Sequence, residues 1–423
     1  MKSGMSLFEK YTARDTFVNK RHLNTYYSHL IFANMTIGII GVGHVGCVLA
    51  ADLESRGFQT TLWAAPGHRK IFDQLVKQKH LDATEAMTGR FYPTLTSSFD
   101  KLIQSTKVII VAVPTTGHSF ILEELAKYNL SQYIVIFISG NFVGPVAAAA
   151  INAEAIICTS RSPYTSRTEE SNTGEIRVRV NGIKRRLEVA SFGQVEQPVR
   201  DTLSQIFSVP LIWYSNTLKL DLATNHGVVH PPTMLSNIGA IKSKANLFFY
   251  CDCMTAEVCS LILAADKERL EVAAALGFTD MEDVLEMFNA DYGTDFSDLT
   301  MFMQRVDALN KRPGLPSSLQ ARQISQDIPF WCVPVASLGK ALGVQTPVID
   351  GWILSSMCVN QVDYRKVGRT LQTFGLRDDA SMEEILKVFK ATDDSNRHPS
   401  STHLHHSKSL GAMLRSNYST VVV

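Results

Sequence analysis

An excess of charge of either sign is missing from this chain: 41 Lys and Arg stand against 40 Asp and Glu among 423 residues, a formal net charge of +1. No overall field draws it to nucleic acid or to an anionic membrane surface. Long apolar runs are missing too. None approaches the roughly eighteen residues needed to cross a bilayer, and the N-terminus lacks the apolar core of a signal peptide. Neither a membrane nor a nucleic-acid partner is expected, and the expected location is cytoplasmic. Cysteine is scarce: Cys47, Cys158, Cys251, Cys253, Cys259, Cys332 and Cys358 are odd in number and without paired metal-ligand spacing. Reduced core thiols are therefore expected, with no metal site. The one close pair, Cys251 and Cys253, falls in an expected helix where positions two apart face different sides.

Apolar content is ample, at 45% against 19% charged residues, enough for a large core and two domains. The most informative run is Met35-Thr-Ile-Gly-Ile-Ile-Gly41-Val-Gly43-His44-Val45-Gly46, a β-type segment entering GxGxxG and then an Ala- and Leu-rich helix. In that context the glycines read as a dinucleotide-binding turn. Gly41 allows the tight turn, Gly43 the approach of backbone N–H groups to a pyrophosphate, and Gly46 close contact of helix and strand. The helix that follows aims its positive end at the phosphates.

Strand-like and helical runs alternate beyond it. Phe58–Trp63 reads as a second strand, Arg69–Gln78 and Phe99–Ser105 as helices, and Lys107–Val113 as a buried parallel strand stopped by Pro114. Tyr133–Ile138 and Ala155–Cys158 repeat the strand signature, while Glu175–Val180 and Arg186–Ala190 read as a hairpin about Asn181-Gly182. This pattern predicts an α/β fold with a doubly wound parallel sheet, the Rossmann arrangement, over residues 35–216. Helical periodicity then takes over, predicting a mostly α-helical domain over 217–391 that carries the substrate groups. Residues 1–34 read as an extension outside the nucleotide fold. Residues 392–423, with His398, His403, His405 and His406, read as a flexible tail without a specific ligand, because histidines lacking a scaffold hold metal weakly.

A carboxylate that would accept from the ribose 2′-OH of NADH is expected about 20 residues after the glycines. The sequence there is Trp63-Ala64-Ala65-Pro66-Gly67-His68-Arg69-Lys70, with no acid and three cationic groups. That favours NADPH, with NADH as the alternative. The expected cofactor contacts are Gly41, Gly43, His44, Val45 and Gly46 at the turn, Ala64 and Arg69 after the second strand, and Val113 and Pro114 after the next.

Hydride transfer to C=O or C=N needs a proton donor beside the acceptor atom, and histidine serves near neutral pH. Thr224-Asn225-His226-Gly-Val-Val-His230-Pro231-Pro232 places His230 where the two domains meet, with a helix expected to start at Pro231 or Pro232 and Asn237 two turns later. Asp327, ahead of a proline-punctuated apolar run, is a candidate to orient the imidazole; on the residues alone capping the turn at Pro329 is the preferred role, and Asp350 is a competing acid.

Taken together, the GxGxxG, Ser162-Pro-Tyr-Thr-Ser-Arg167, Val229-His230-Pro-Pro-Thr-Met-Leu-Ser-Asn237, Asp327-Ile-Pro-Phe-Trp-Cys-Val-Pro-Val-Ala-Ser-Leu-Gly339, Thr346-Pro-Val-Ile-Asp350 and Gly368-Arg-Thr-Leu-Gln-Thr-Phe-Gly-Leu376 resemble the opine dehydrogenase family, the octopine and nopaline dehydrogenase group, from Met35 to about Lys390. The resemblance implies a Rossmann domain followed by an all-helical one, with a catalytic His–Asp pair between them that matches His230 and Asp327. It also implies reductive condensation of an amino acid amine with a 2-oxo acid such as pyruvate. The His-Pro-Pro form is similar to relatives making opine-type metal-chelating metabolites, which leaves the amino donor open. Both substrates carry carboxylates. Arg167 is the first candidate to bind them, with Asn225 and Asn237 beside it and Lys242, Lys244 and Arg322 as weaker cations. A homodimer is left open. So are a hydroxy-acid dehydrogenase, with Lys219 as acid and Asn225 as orienting group, and a non-catalytic NADPH-binding sensor.

Overall fold

The computed structural model describes residues 35–311 and 314–390. The expected tail and N-terminal extension lie outside the described residues. Strand β1 (Thr36–Ile40) is followed by helix α1 (His44–Ser55), β2 (Gln59–Trp63), α2 (Lys70–Gln78), β3 (Leu81–Glu85), β4 (Gly89–Phe91), β5 (Thr94–Thr96), α3 (Phe99–Ser105) and β6 (Val108–Val111). Then come α4 (His118–Leu125), β7 (Ile134–Ile138), α5 (Gly144–Ala150), β8 (Ala155–Thr159), β9 (Tyr164–Glu170), β10 (Ile176–Ile183), β11 (Leu187–Ser191), α6 (Gln197–Ile206) and β12 (Leu211–Trp213).

Eight strands form one sheet in the order β12-β11-β8-β7-β6-β1-β2-β5. Neighbours from β8 to β5 run parallel, and β11 turns antiparallel to β8. Strands β6 and β7 are buried along their whole length, as strands covered on both faces must be. Chain order reverses between β1 and β6, so the crevice at their C-terminal ends is the topological switch point where ligands bind in such sheets.

The expected hairpin about Asn181-Gly182 is corrected. Both residues lie inside β10, at a bulge between Val180 and Gly182. That strand pairs with β9 and β3 in a separate four-stranded sheet, while β11 joins the large sheet beside β8. Alternation of Arg177 and Arg179 with Val178 and Val180 marks a half-buried strand but does not name its neighbour.

Among the described residues no strand follows Trp213. Helices α7 (Thr217–Leu222), α8 (His226–Ser236), α9 (Ile238–Lys242), α10 (Ala256–Ala275), α11 (Val284–Tyr292), α12 (Leu299–Arg305), α13 (Arg322–Ser325), α14 (Val333–Leu342), α15 (Pro347–Asn360), α16 (Tyr364–Val367) and α17 (Met382–Val388) surround a second apolar core that includes Val229, Ile262, Phe302, Trp331 and Ile353. A π-helical turn at Ile328–Cys332 leads into α14. No helix is long and apolar enough to cross a membrane among the described residues. Cys251 and Cys253 sit in turns before α10 rather than in a helix. All seven cysteines are free, but Cys358 is exposed and Cys251 half-buried, which corrects the expectation that every thiol is in the core.

Candidate active site

Helix α8 begins at His226, so Pro231 and Pro232 lie inside it rather than at its start. Each proline withholds one N–H from the carbonyl four residues back. The Gly227 carbonyl freed in this way accepts from Cys332 Sγ at 3.5 Å. An earlier start puts His226 and His230 on one face of the helix, one turn apart, with ring centroids 6.5 Å apart.

His230 Nδ1 lies 2.6 Å from Asp327 Oδ2. A carboxylate only accepts, so Nδ1 carries the proton and the lone pair of the neutral ring sits on Nε2. Asp327 is wholly buried and makes no side-chain cap to the following turn. Burial alone would raise its carboxyl; the His230 hydrogen bond and the charges of His226, His230 and Arg322 hold it below its ordinary value. Asp350, the competing acid, instead accepts from Thr346 Oγ1 and pairs with Arg365.

A buried hydrogen-bonded chain continues from this pair. Asp327 Oδ1 accepts from Gln326 Nε2 at 3.2 Å, and Gln326 Oε1 accepts from the Thr115 N–H at 3.0 Å. Thr115 Oγ1 accepts from Asn141 Nδ2 at 2.7 Å, and Asn141 Oδ1 lies 2.7 Å from His226 Nε2. The chain thus returns to α8 one turn before His230. Desolvation, only partly opposed by Asp327 and reinforced by His230 and Arg322, pulls the His226 imidazole down to about 4. Sequence reasoning passed over His226, Gln326, Thr115 and Asn141. Only His226 left a signal, its four-residue spacing from His230, and an expected helix start at Pro231 concealed it.

Thr115 follows β6 at the rim of the switch-point crevice, and the GxGxxG turn forms the facing rim. Gly41 has φ +113° and a side chain there would meet the Ala112 carbonyl at 2.7 Å; one at Gly46 would collide with the Gly41 carbonyl. Nothing lies within 4 Å of a β-carbon placed on Gly43, which leaves the N-terminus of α1 open to an incoming group. These features fit a dinucleotide whose phosphates meet the helix end. Val113 touches the Gly41 position and Pro114 opens the turn after β6. Val45 lies in the first turn of α1, and Ala64 is buried after β2. Arg69 bonds Asp73 at 3.0 and 3.1 Å and stacks on the Phe72 ring.

His44 Nδ1 meets both Thr168 N–H, at 2.9 Å, and Thr168 Oγ1. The backbone N–H can only donate, so Nδ1 is the acceptor and Nε2 bears the proton. Desolvation and the charges of Arg167 and Arg322 hold this ring down to about 4, although the residue is exposed. The charges of Arg167 and Arg322 therefore both reach His44 at the GxGxxG turn. Neither forms an ion pair in the described residues. Asn225 stands at the N-terminal end of α8 without a capping bond, and its buried Nδ2 has no partner, a donor aimed at nothing the protein supplies. Asn237 differs: both its N–H bonds go to backbone, the Thr233 and Cys253 carbonyls, so it anchors the end of α8. Lys242 and Lys244 are exposed, and Lys219 pairs with Asp280 at 2.7 Å.

Known proteins resemble the chain in both halves. Residues 213–358 match the family described as NAD/NADP octopine/nopaline dehydrogenase, alpha-helical domain, and residues 37–182 match the ketopantoate reductase PanE/ApbA family. An opine dehydrogenase of Arthrobacter sp. (strain 1C) is 27% identical over 81% of this chain and 95% of its own. Vitopine synthase of Allorhizobium ampelinum is 25% identical over 80% of this chain and 95% of its own. A solved octopine dehydrogenase in complex with NADH and agmatine superposes with a TM-score of 0.66 at 18% identity, covering 88% of this chain and all of that one; at that identity the likeness carries the fold.

Proposed function

We propose that this chain, similar over about four fifths of its length to opine dehydrogenases and matching their alpha-helical domain, is an NAD(P)-dependent oxidoreductase of that family that condenses an L-amino acid with a 2-oxo acid such as pyruvate and reduces the product to a secondary-amine dicarboxylate. The 2.6 Å contact of His230 with Asp327 beside the switch-point crevice carries this reading. Residues 35–216 serve as the dinucleotide-binding domain and 217–391 as the substrate domain.

His230 Nε2 takes a proton from the substrate ammonium and frees its nitrogen to attack the ketone carbon. The imidazolium so formed is stabilised by Asp327 and, once the amine proton has passed to the carbinolamine oxygen, gives its own proton to that hydroxyl, which leaves as water and yields the protonated imine. The cofactor, when bound, supplies the hydride that reduces the imine carbon. Arg167 and Arg322 bind the substrate carboxylates, and Asn225 Nδ2 donates to a substrate or cofactor oxygen. Asn237 is left out because its donors are engaged by backbone.

NADPH is the proposed cofactor, through Arg69. The working location is the cytoplasm, and a homodimer is compatible with the reading. Oxidation of NADPH by pyruvate with single amino acids, compared with pyruvate alone, tests the proposal. Oxidation should require both substrates and vanish in His230→Ala; oxidation by pyruvate alone would instead make the protein a hydroxy-acid dehydrogenase.

A further inference from the structure

The His230–Asp327 pair belongs to helices packed in one core, whereas the crevice belongs to the sheet. One side chain joins them directly. Gln326 is buried, at 6% exposure, between a wholly buried Asp327 and a buried Thr115. Its orientation is forced by its neighbours: the Thr115 N–H can only donate, so Oε1 must face it, and the Asp327 carboxylate can only accept, so Nε2 must face that. The closest replacements do not meet both demands. Glutamate would set carboxylate against carboxylate, asparagine is one methylene short, and methionine fills the space with neither bond.

We propose that Gln326 is a positioning residue that couples the His230–Asp327 pair to the cofactor crevice through the Thr115 backbone. Asp327 has two oxygens and two partners, His230 on Oδ2 and Gln326 on Oδ1, so the rotation of the carboxylate is set by both. The segment from Val113 to Gly117 is a wall of the crevice. A group bound against that wall displaces or fixes Thr115, and Gln326 transmits the displacement to the carboxylate that orients the imidazole. The second route, from Thr115 Oγ1 through Asn141 to His226, holds the same wall to the same helix, so the coupling reaches α8 from two directions. The role of the pair rests on the function proposed above; the mechanical link does not.

The groups facing the pair are His226 on its own helix, Arg322 on α13, Cys332 on the π-helical turn, Tyr250 and Phe249 from the turns before α10, and Arg161 after β8, whose charge reaches His226. Gln326→Met, near-isosteric and uncharged, alters none of them. Nitrogen-15 spectra of the histidine side chains, with His230 assigned through His230→Gln, read the link without turnover. In the wild-type protein, addition of NADP+ should shift the His230 ring signals; in Gln326→Met that response should be clearly smaller while NADP+ affinity stays within about twofold. Turnover of Gln326→Met should fall on the order of a hundredfold, as expected of a small misplacement, with thermal melts confirming the fold. Equal NADP+ responses in wild type and Gln326→Met would overturn the proposal. Failure of the opine reading shows elsewhere, as NADPH oxidation independent of any amine.

Discussion

The indole of Trp331 fills the space in which a side chain at position 227 would stand, and its Nε1 donates to the Asp221 carbonyl at 3.0 Å. Trp331 is wholly buried, and Gly227 lies three residues before His230 on α8. The contact therefore sets how closely α8 approaches the π-helical turn that follows Asp327.

Gly227→Ala forces this pair apart. Overpacking of a close-packed core costs about 1–3 kcal/mol, so a clear drop in melting temperature is expected, together with a loss of turnover larger than the loss of folded protein. A melt matching the wild type would remove the contact from the account.

Asp327→Asn keeps the shape of the pair but no longer fixes the Nδ1–H tautomer. Turnover should fall on the order of a thousand to ten thousandfold, while the dissociation constant for NADPH, read by fluorescence, stays within about twofold. An equal loss in binding would mean that Asp327 supports the fold rather than the imidazole.

Arg69 is held by Asp73 in an exposed ion pair, an interaction worth little in water and easily exchanged for a phosphate. Arg69→Ala should raise the KM for NADPH about tenfold, the loss of one charge-assisted contact of about 1.5 kcal/mol, and leave NADH unaffected. Asp73→Ala should lower the KM for NADPH. Parallel changes with both cofactors would show that Arg69 does not meet a 2′-phosphate.

Asp221 is buried with no donor at hydrogen-bonding geometry on either oxygen. Burial pushes its carboxyl up from 3.8 to about 7, against the pull of the nearby Phe142 N–H, the Arg369 guanidinium and the Asn141 N–H. Between those pH values the native protein holds a proton that the unfolded chain has released, so this group removes stability as pH rises, on the order of 4 kcal/mol by pH 8. His44 and His226, both held down to about 4, act in the opposite sense between about pH 4 and 6.5. The comparison with Asp221→Asn isolates the carboxyl: the stability of that variant relative to wild type should climb from pH 4 to 7 and level off above. A pH-independent difference in denaturant unfolding would contradict it.

Much of this was legible in the residues. Lys107–Val113 and Tyr133–Ile138 read as buried parallel strands because burial on both faces leaves an unbroken apolar run, and the strands observed are Val108–Val111 and Ile134–Ile138. The GxGxxG turn read as a ligand site because each glycine answers a separate steric demand. Strand pairing was less legible: Asn181-Gly182 has the composition of a turn, yet here it forms a bulge within a continuing strand. Proline misled in a similar way, since it favours the first turn of a helix but stands in the middle of α8. Gln326 left no trace at all. Its partners are 211 residues away in Thr115 and one residue away in Asp327, and neither distance produces a periodicity. Arg322 carried no distinguishing context either, because its approach to His44, His226 and Asp327 exists only in the folded protein.

The most direct test of the central claim follows the hydride into the product. The protein is incubated with pyruvate, a panel of single amino acids and NADPH deuterated at the transferred position, and the products are resolved by mass spectrometry. The account predicts a secondary amine joining both carbon skeletons, with one deuterium on the former ketone carbon of pyruvate and no such product from His230→Ala. Deuterium recovered in lactate, whichever amino acid is present, would contradict it.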